Sequence, residues 1–363
     1  MSQRWVASLV VLTVGCGGKA IIDGASGAAG GGGSSTTTST STTTTTTIPG
    51  CTDPPCDPVE VAVDQPIAYA VAVDGARVYW TTITAGTVAS CPVTGCDGSM
   101  TVFATGQSRP SAVAVDGTHV YWIASGEGPD GKVLRCPKAG CSVPTVIAQG
   151  LVEPLDIAID HLGVYWTSFG DDQVGFGPAL LTCPLAGCDG APTILAEDDP
   201  GAQGVAMTAD VLFWVNAKTD RVNHCSLGGC GQPTVLAGDQ GRPQEIAVQA
   251  GMVYWTSTDG GDVAACPTTG CSGPPWAMAA NQPRPLGVAT DEARLYWTNQ
   301  ADYGSEGTVM SCPLSGCDTE MLTIASGQAN PTHVAASSVA ICWTNQGTTE
   351  LSFTDGALMC SLK

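Results

Sequence analysis

Ala112-Val113-Ala114-Val115-Asp116 is followed by Thr118-His119-Val120-Tyr121-Trp122-Ile123-Ala124, by Lys132-Val133-Leu134-Arg135-Cys136, and by Val143-Pro144-Thr145-Val146-Ile147-Ala148. Each run is short and alternating or β-branched, and Gly, Asp or Pro separates it from the next, which is the signature of four strands joined by turns. The aromatic-Trp pair in the second run recurs at Tyr79-Trp80, Tyr165-Trp166, Phe213-Trp214, Tyr254-Trp255 and Tyr296-Trp297, with Cys342-Trp343 as a seventh variant. Successive Trp spacings are 42, 44, 48, 41, 42 and 46 residues, and seven of the nine Trp share this register. A four-strand unit repeating every 40 to 50 residues is a propeller blade, and no 3.6-residue periodicity supports a helical repeat. The expected fold is all-β, a seven-bladed β-propeller of four-stranded blades.

The last unit runs out one strand short at Lys363. Aligning Cys56 to Val63 with Cys96 to Phe103 supplies the missing strand from the N-terminal side, so pairing of the two chain ends is expected to close the ring and remove its open edges.

The Val-Ala-Val-Asp and Tyr-Trp-Thr pattern resembles the YWTD repeats of low-density lipoprotein receptor-type propellers and, more loosely, NHL-type propellers, over residues 58 to 362. The resemblance implies the fold. At the motif's fourth letter this chain carries Thr82, Ala124, Ser168, Asn216, Ser257, Asn299 and Asn345 instead of Asp. No ligand residue of that family carries over.

Seventeen Cys are present, and twelve form C-x4-C pairs: Cys91/Cys96, Cys136/Cys141, Cys183/Cys188, Cys225/Cys230, Cys266/Cys271 and Cys312/Cys317. Five of these read Cys-Pro-x-x-Gly-Cys, which suits a tight turn, so each pair is expected to staple the outer hairpin between the third and fourth strands. Redox motifs use C-x2-C, and the four His show no zinc-site spacing. Once Cys16 is set aside, Cys51, Cys56, Cys342 and Cys360 remain. The Tyr of each aromatic pair and the first Cys of the C-x4-C should face each other, as Tyr254 and Cys266 do about Asp259-Gly260-Gly261. Cys342 stands in the Tyr place, so Cys342–Cys360 and Cys51–Cys56 are the preferred pairs, with Cys56–Cys360 as the alternative.

Residues 1-16 hold Arg4, an apolar run from Trp5 to Val14, and then Gly15-Cys16, the layout of an export signal too short to span a bilayer. Leu12-Thr13-Val14-Gly15-Cys16 resembles the bacterial lipobox, which implies lipidation of Cys16, and Gly17 resembles the residue that follows the Cys in lipoproteins of the outer membrane. Residues 17-50 include Gly30 to Gly33 and the unbroken Ser/Thr run Ser34 to Thr47, a composition that buries nothing and is expected to be disordered. Its reach is about 30 Å by random-coil scaling, and its hydroxyls offer O-glycosylation sites. Residues 51-363 form the propeller. The expected localisation is exported, lipid-anchored at the outer membrane or cell surface, as a monomer.

Thirteen Lys+Arg against 33 Asp+Glu give a net charge of −20, which argues against nucleic-acid partners. Propellers bind ligands at the mouth of the axial channel. The position before each Val-Ala-Val-type run is Ala70, Ala112, Asp156, Gly204, Glu245, Gly287 and His333, so Asp156, Glu245 and His333 are candidates to converge on the axis. Near the Pro that leads into each blade lie Gln65, Arg109, Glu153, Asp199, Arg242, Arg284 and Asn330; the three arginines suggest an anion-receptive rim. The aromatic-Trp pairs are read as packing between blades. No Ser-His-Asp order, phosphate loop or calcium loop is present at useful spacing. The leading expectation is a surface binding or scaffold module without catalysis or cofactor, whose partner is a protein, a glycan or a small ligand. The alternative, by likeness to lactonase and streptogramin lyase propellers, is an exported enzyme with one divalent metal held in the central channel.

Overall fold

The structure, a computed structural model, describes residues 57–170, 180–188, 191–197, 199–300, 306–318, 320–348 and 353–363. The signal, the linker and the Cys51–Cys56 pair lie outside the described residues.

Seven antiparallel four-stranded sheets form the blades. Their first strands are Ala68–Val73, Pro110–Val115, Pro154–Ile159, Ala202–Met207, Pro243–Gln249, Pro285–Thr290 and Pro331–Ala336. These strands contact one another all round the ring, blade seven meeting blade one, and so line the axis. Each second strand carries the aromatic-Trp pair, and the fourth strands, such as Thr101–Ala104 and Thr234–Ala237, stand outermost. Val59–Ala62 is the fourth strand of blade seven, pairing Val59 with Cys360 on Ala357–Leu362. Ring closure by the chain ends is therefore observed.

Burial follows the repeat. All seven repeat Trp are 0% exposed. Each lies in a cluster with the aromatic of the preceding blade: Trp122 with Tyr79, Trp166 with Tyr121, Trp297 with Tyr254. At the closing seam the Tyr place is filled by Cys342, which with Cys360 packs in one cluster with Trp80. Burying an indole with no partner for its N–H would cost free energy. In six blades the partner is a side chain 15 residues upstream: Gln65, Gln107, Asp199, Gln240, Gln282 and Gln328 accept from the Nε1 of Trp80, Trp122, Trp214, Trp255, Trp297 and Trp343 at 2.8–3.1 Å. Blade three has Leu151 there, and the Nε1 of Trp166 has no partner.

The Asp of the Val-Ala-Val-Asp run works at both ends. Asp74, Asp116 and Asp291 each accept from backbone N–H groups of the following turn through Oδ1 and from the Tyr79, Tyr121 or Tyr296 hydroxyl through Oδ2 at 2.7–2.8 Å. Lys138 and Lys363 reach from the following blade to Asp74 and Asp291, over the rings of Tyr79 and Tyr296. Burial pushes these three carboxyls up, but the hydrogen bonds together outweigh it and hold them below the ordinary 3.8. Burial, followed by the Asp hydrogen bond and charge, pushes the three phenols well above 10. A depressed folded carboxyl value stabilises above its unfolded value and is lost as pH falls; a raised phenol value stabilises below its unfolded value and is lost as pH rises. The melting temperature is thus expected to be level between about pH 4 and pH 10 and to fall on both sides, with Asp291→Asn flattening the acid limb. An acid limb unchanged in that variant would refute the assignment.

All six C-x4-C pairs are disulfides at the turn after the third strand. In five of them the first Cys is buried and the second, at the outer side of the turn, is partly exposed. Cys312–Cys317 occupies the same place on its hairpin, with a more covered outer Cys. Cys317 is itself buried, 8% exposed, and belongs to the core cluster of Cys312 and Trp297. Met310 and Leu314, on either side of Cys312, lie against that same cluster. The sixth staple is therefore part of the blade-six core as well as a clip on its hairpin.

Cys342 bonds Cys360, its direct cross-strand partner, which excludes the alternative Cys56–Cys360. The register differs by one residue from the expected one. Val253 faces Cys266, and Tyr254 faces Ala265, because the turn at Asp259–Gly261 is not centred on Gly260.

Candidate functional site

The first strands begin with an irregularity that shapes the axial mouth. In six blades the pairing with the second strand skips from the first residue to the fourth, as between Pro243 and Ile246 or Pro331 and Val334, so two residues bulge out of the ladder. Such bulges re-aim side chains. The freed amide needs an acceptor, and the Thr after the repeat Trp supplies one. The Oγ1 atoms of Thr81, Thr167, Thr256, Thr298 and Thr344 accept from the N–H of Ala70, Asp156, Glu245, Gly287 and His333 at 2.9–3.4 Å. The same hydroxyls of Thr167, Thr256 and Thr298 donate to carbonyls of the next blade, Gln203, Leu286 and Thr332, at 2.5–2.6 Å, and Thr344 donates to that of Tyr69. The third letter of Tyr-Trp-Thr therefore braces the mouth.

Blades two and four carry Ile123 and Val215 in that place. Blade two skips only one residue, pairing Ala112 with Ile123. In blade four Asp156 of blade three binds one residue further along: its Oδ2 accepts from Val205 N–H at 2.7 Å and its Oδ1 from Ile157 N–H at 2.8 Å.

The bulges open into an axial cavity of about 280 Å³. Its wall is mostly apolar, with Val71, Val113, Ile159, Met207, Val248 and Val288 among the lining residues, and Asp156, Glu245 and His333 all line it. The three do not act as one cluster. The Nε2 of His333 lies 3.3 Å from the Oε1 of Glu245, with side chains 18% and 16% exposed, whereas Asp156 is held by backbone amides. Glu245 and His333 belong to blades five and seven. Between them blade six offers Gly287, where a Cβ would run into the Thr332 carbonyl, so the pair spans a position that must stay bare. Gly287→Ala is expected to destabilise the domain by about 1–3 kcal/mol through this overlap, measured by denaturant unfolding. An unchanged midpoint would show that the seam yields freely.

Tyr69, one residue before the compared position, was not among the sequence candidates. Its ring sits 4.6 Å from that of His333. Burial, then the Glu245 charge, with Arg109 opposing, pushes its phenol up to about 12, so it remains a neutral donor. The signal available was the one aromatic among Tyr69, Ser111, Leu155, Gln203, Gln244, Leu286 and Thr332.

The suggested rim residues do not all share one register. The residues directly before the first strands are Ile67, Arg109, Glu153, Gly201, Arg242, Arg284 and Asn330, all with φ between 42° and 103°. Gln65 and Asp199 are the indole acceptors described above, and the Pro in blades one and four precedes its strand by two residues. Arg109, Arg242 and Arg284 therefore stand on left-handed turns whose carbonyls accept from Ser125, Thr258 and Gln300. None of the three lines the cavity. Among the described residues no group of three His, Cys, Asp or Glu is arranged to hold a metal ion.

No family model matches the chain. No curated protein matches it. Among solved structures it is similar to a streptogramin B lyase, with TM-score 0.63 and 12% identity over 85% of this chain and 97% of that one. It is similar to virginiamycin B lyase from Staphylococcus aureus, with TM-score 0.62 and 12% identity over 85% and 99%. A nidogen/laminin complex matches at 24% identity over 56% of this chain and 77% of that one, with TM-score 0.47. At these identities the likeness shows the fold alone.

Proposed function

We propose that the protein is a non-catalytic binding propeller, exported and anchored through lipidated Cys16, which takes a small ligand into its axial cavity without a metal cofactor. The observation that carries this reading is the cavity itself: a concave, mostly apolar wall along the axis with a few polar groups set in it, the usual form of a small-molecule site. Asp156 accepts from backbone amides and Glu245 lies against His333, and among the described residues no three such groups are gathered around one point. Residues 17-50 would hold the propeller away from the membrane, and a monomer suffices for the site.

The test uses the detergent-solubilised mature chain. Hexan-1-ol is expected to bind with a stoichiometry of one and to be blocked by Val288→Trp, melting to be indifferent to a chelator, and labelled palmitate to be incorporated unless Cys16 is changed to Ser. A stoichiometric metal lost in His333→Ala, or no binding of any six-carbon probe, alcohol, amine or carboxylate, would overturn the reading.

A lyase is the second reading, favoured by the imidazole–carboxylate pair inside the cavity and by structural neighbours named streptogramin B lyase and virginiamycin B lyase. Consumption of a streptogramin B, abolished in His333→Ala, would establish it.

A further inference from the structure

We propose that the ligand of the axial cavity is an amine: a protonated amino group held at the Glu245–His333 end of the cavity, with a compact apolar body along the channel. This rests on the binding reading above and adds the chemistry of the head group.

Three observations carry it. The first is the charge of the lining. The ionisable groups that line the cavity are the two carboxylates of Asp156 and Glu245 and the single imidazole of His333; no Lys or Arg lines it. Two carboxyl groups against one imidazole leave the lining richer in acidic than in basic groups, which favours a cation. A low-dielectric wall focuses that field, and a chain of net charge −20 adds to it at long range.

The second is the location of the positive charge. Arg109, Arg242 and Arg284 lie on the turns outside the lining, so an anionic head inside the channel would meet carboxylates first. The guanidinium of Arg109 acts on the Tyr69 phenol, which opposes Glu245 there without entering the cavity.

The third is the form of the site. Glu245 and His333 stand together in a mostly apolar wall, the ring of Tyr69 packed 4.6 Å from that of His333, so one end of the cavity offers a carboxylate to an ammonium group and the rest offers apolar surface. At about 280 Å³ the cavity falls just below the range of about 300–1,000 Å³ for drug-sized ligands, so the body is a short chain or one ring.

The experiment compares three probes with one six-carbon body, hexylamine, hexan-1-ol and hexanoate, by titration calorimetry on the full mature chain at neutral pH. Hexylamine is expected to bind about tenfold or more tighter than hexan-1-ol, and hexanoate weaker than both. Added salt should weaken the amine and leave the alcohol unchanged. Glu245→Gln should remove the amine's advantage while preserving alcohol binding. Should that variant fail to fold, the salt dependence of the unaltered protein decides the matter alone. Alcohol binding with no preference for the amine, or a preference for hexanoate, overturns the amine proposal and leaves the binding reading standing. Failure of all three probes overturns both.

Discussion

Reducing the protein under otherwise native conditions is expected to unfold it. Each five-residue staple, such as Cys266–Cys271, contributes about 2 kcal/mol in the chain-entropy account, and Cys342–Cys360, closing a longer loop, about 3. Seven such bonds among the described residues match or exceed the typical net stability of about 5–15 kcal/mol. Melting followed by circular dichroism, with thiols counted by mass, should show the transition collapse as thiols appear. The order is also specified. Cys96, Cys141, Cys188, Cys230 and Cys271 are partly exposed, Cys317 is buried, and Cys342 and Cys360 are both 0% exposed. Those five hairpin staples should open first, Cys312–Cys317 after them and the seam last. Full reduction with an unchanged melting point would disprove the entropic role.

Truncating Trp297 to Ala should cost about 3–5 kcal/mol, the usual loss for a large buried ring. The more telling comparison is Trp→Phe at two places. Trp297→Phe loses the hydrogen bond to Gln282, whereas Trp166→Phe loses none, because Trp166 Nε1 has no partner. Denaturant unfolding should show Trp166→Phe milder by about 1 kcal/mol. Equal costs would mean that the upstream Gln contributes nothing to the blade.

The repeat, the staples, the Cys342–Cys360 bond and the closing strand were legible in the sequence because each repeats or completes a period. What was not legible depends on how neighbouring elements sit against each other. Asp156 reads as a solvated acid in its own blade, yet it reaches across to accept from the Val205 amide of blade four. Glu245 and His333 meet only because Gly287 is bare between them, a relation across three blades. Cys317 has the same spacing as its five counterparts, yet it lies deeper, 8% exposed. Gln65 and Asp199 were placed by their nearness to Pro, and Pro marks the strand start in five blades but not in one and four. Tyr69 was missed because one position of the bulge was compared and the other was not.

The closing strand also has a mechanical consequence. Val59–Ala62 is the first strand met after the linker, and it pairs antiparallel with Ala357–Leu362 of blade seven. Tension on the upstream chain therefore loads the ring at its own clasp, and the load passes through that ladder before any other blade feels it. Once the four residues of that strand have peeled away the load runs along the chain to Ala68–Val73 of blade one, while Cys342–Cys360 still ties Ala357–Leu362 to Ala340–Asn345. A pull from upstream would thus open the clasp first and reach blade one next, while the three remaining strands of blade seven stay fastened by their own ladder and disulfide.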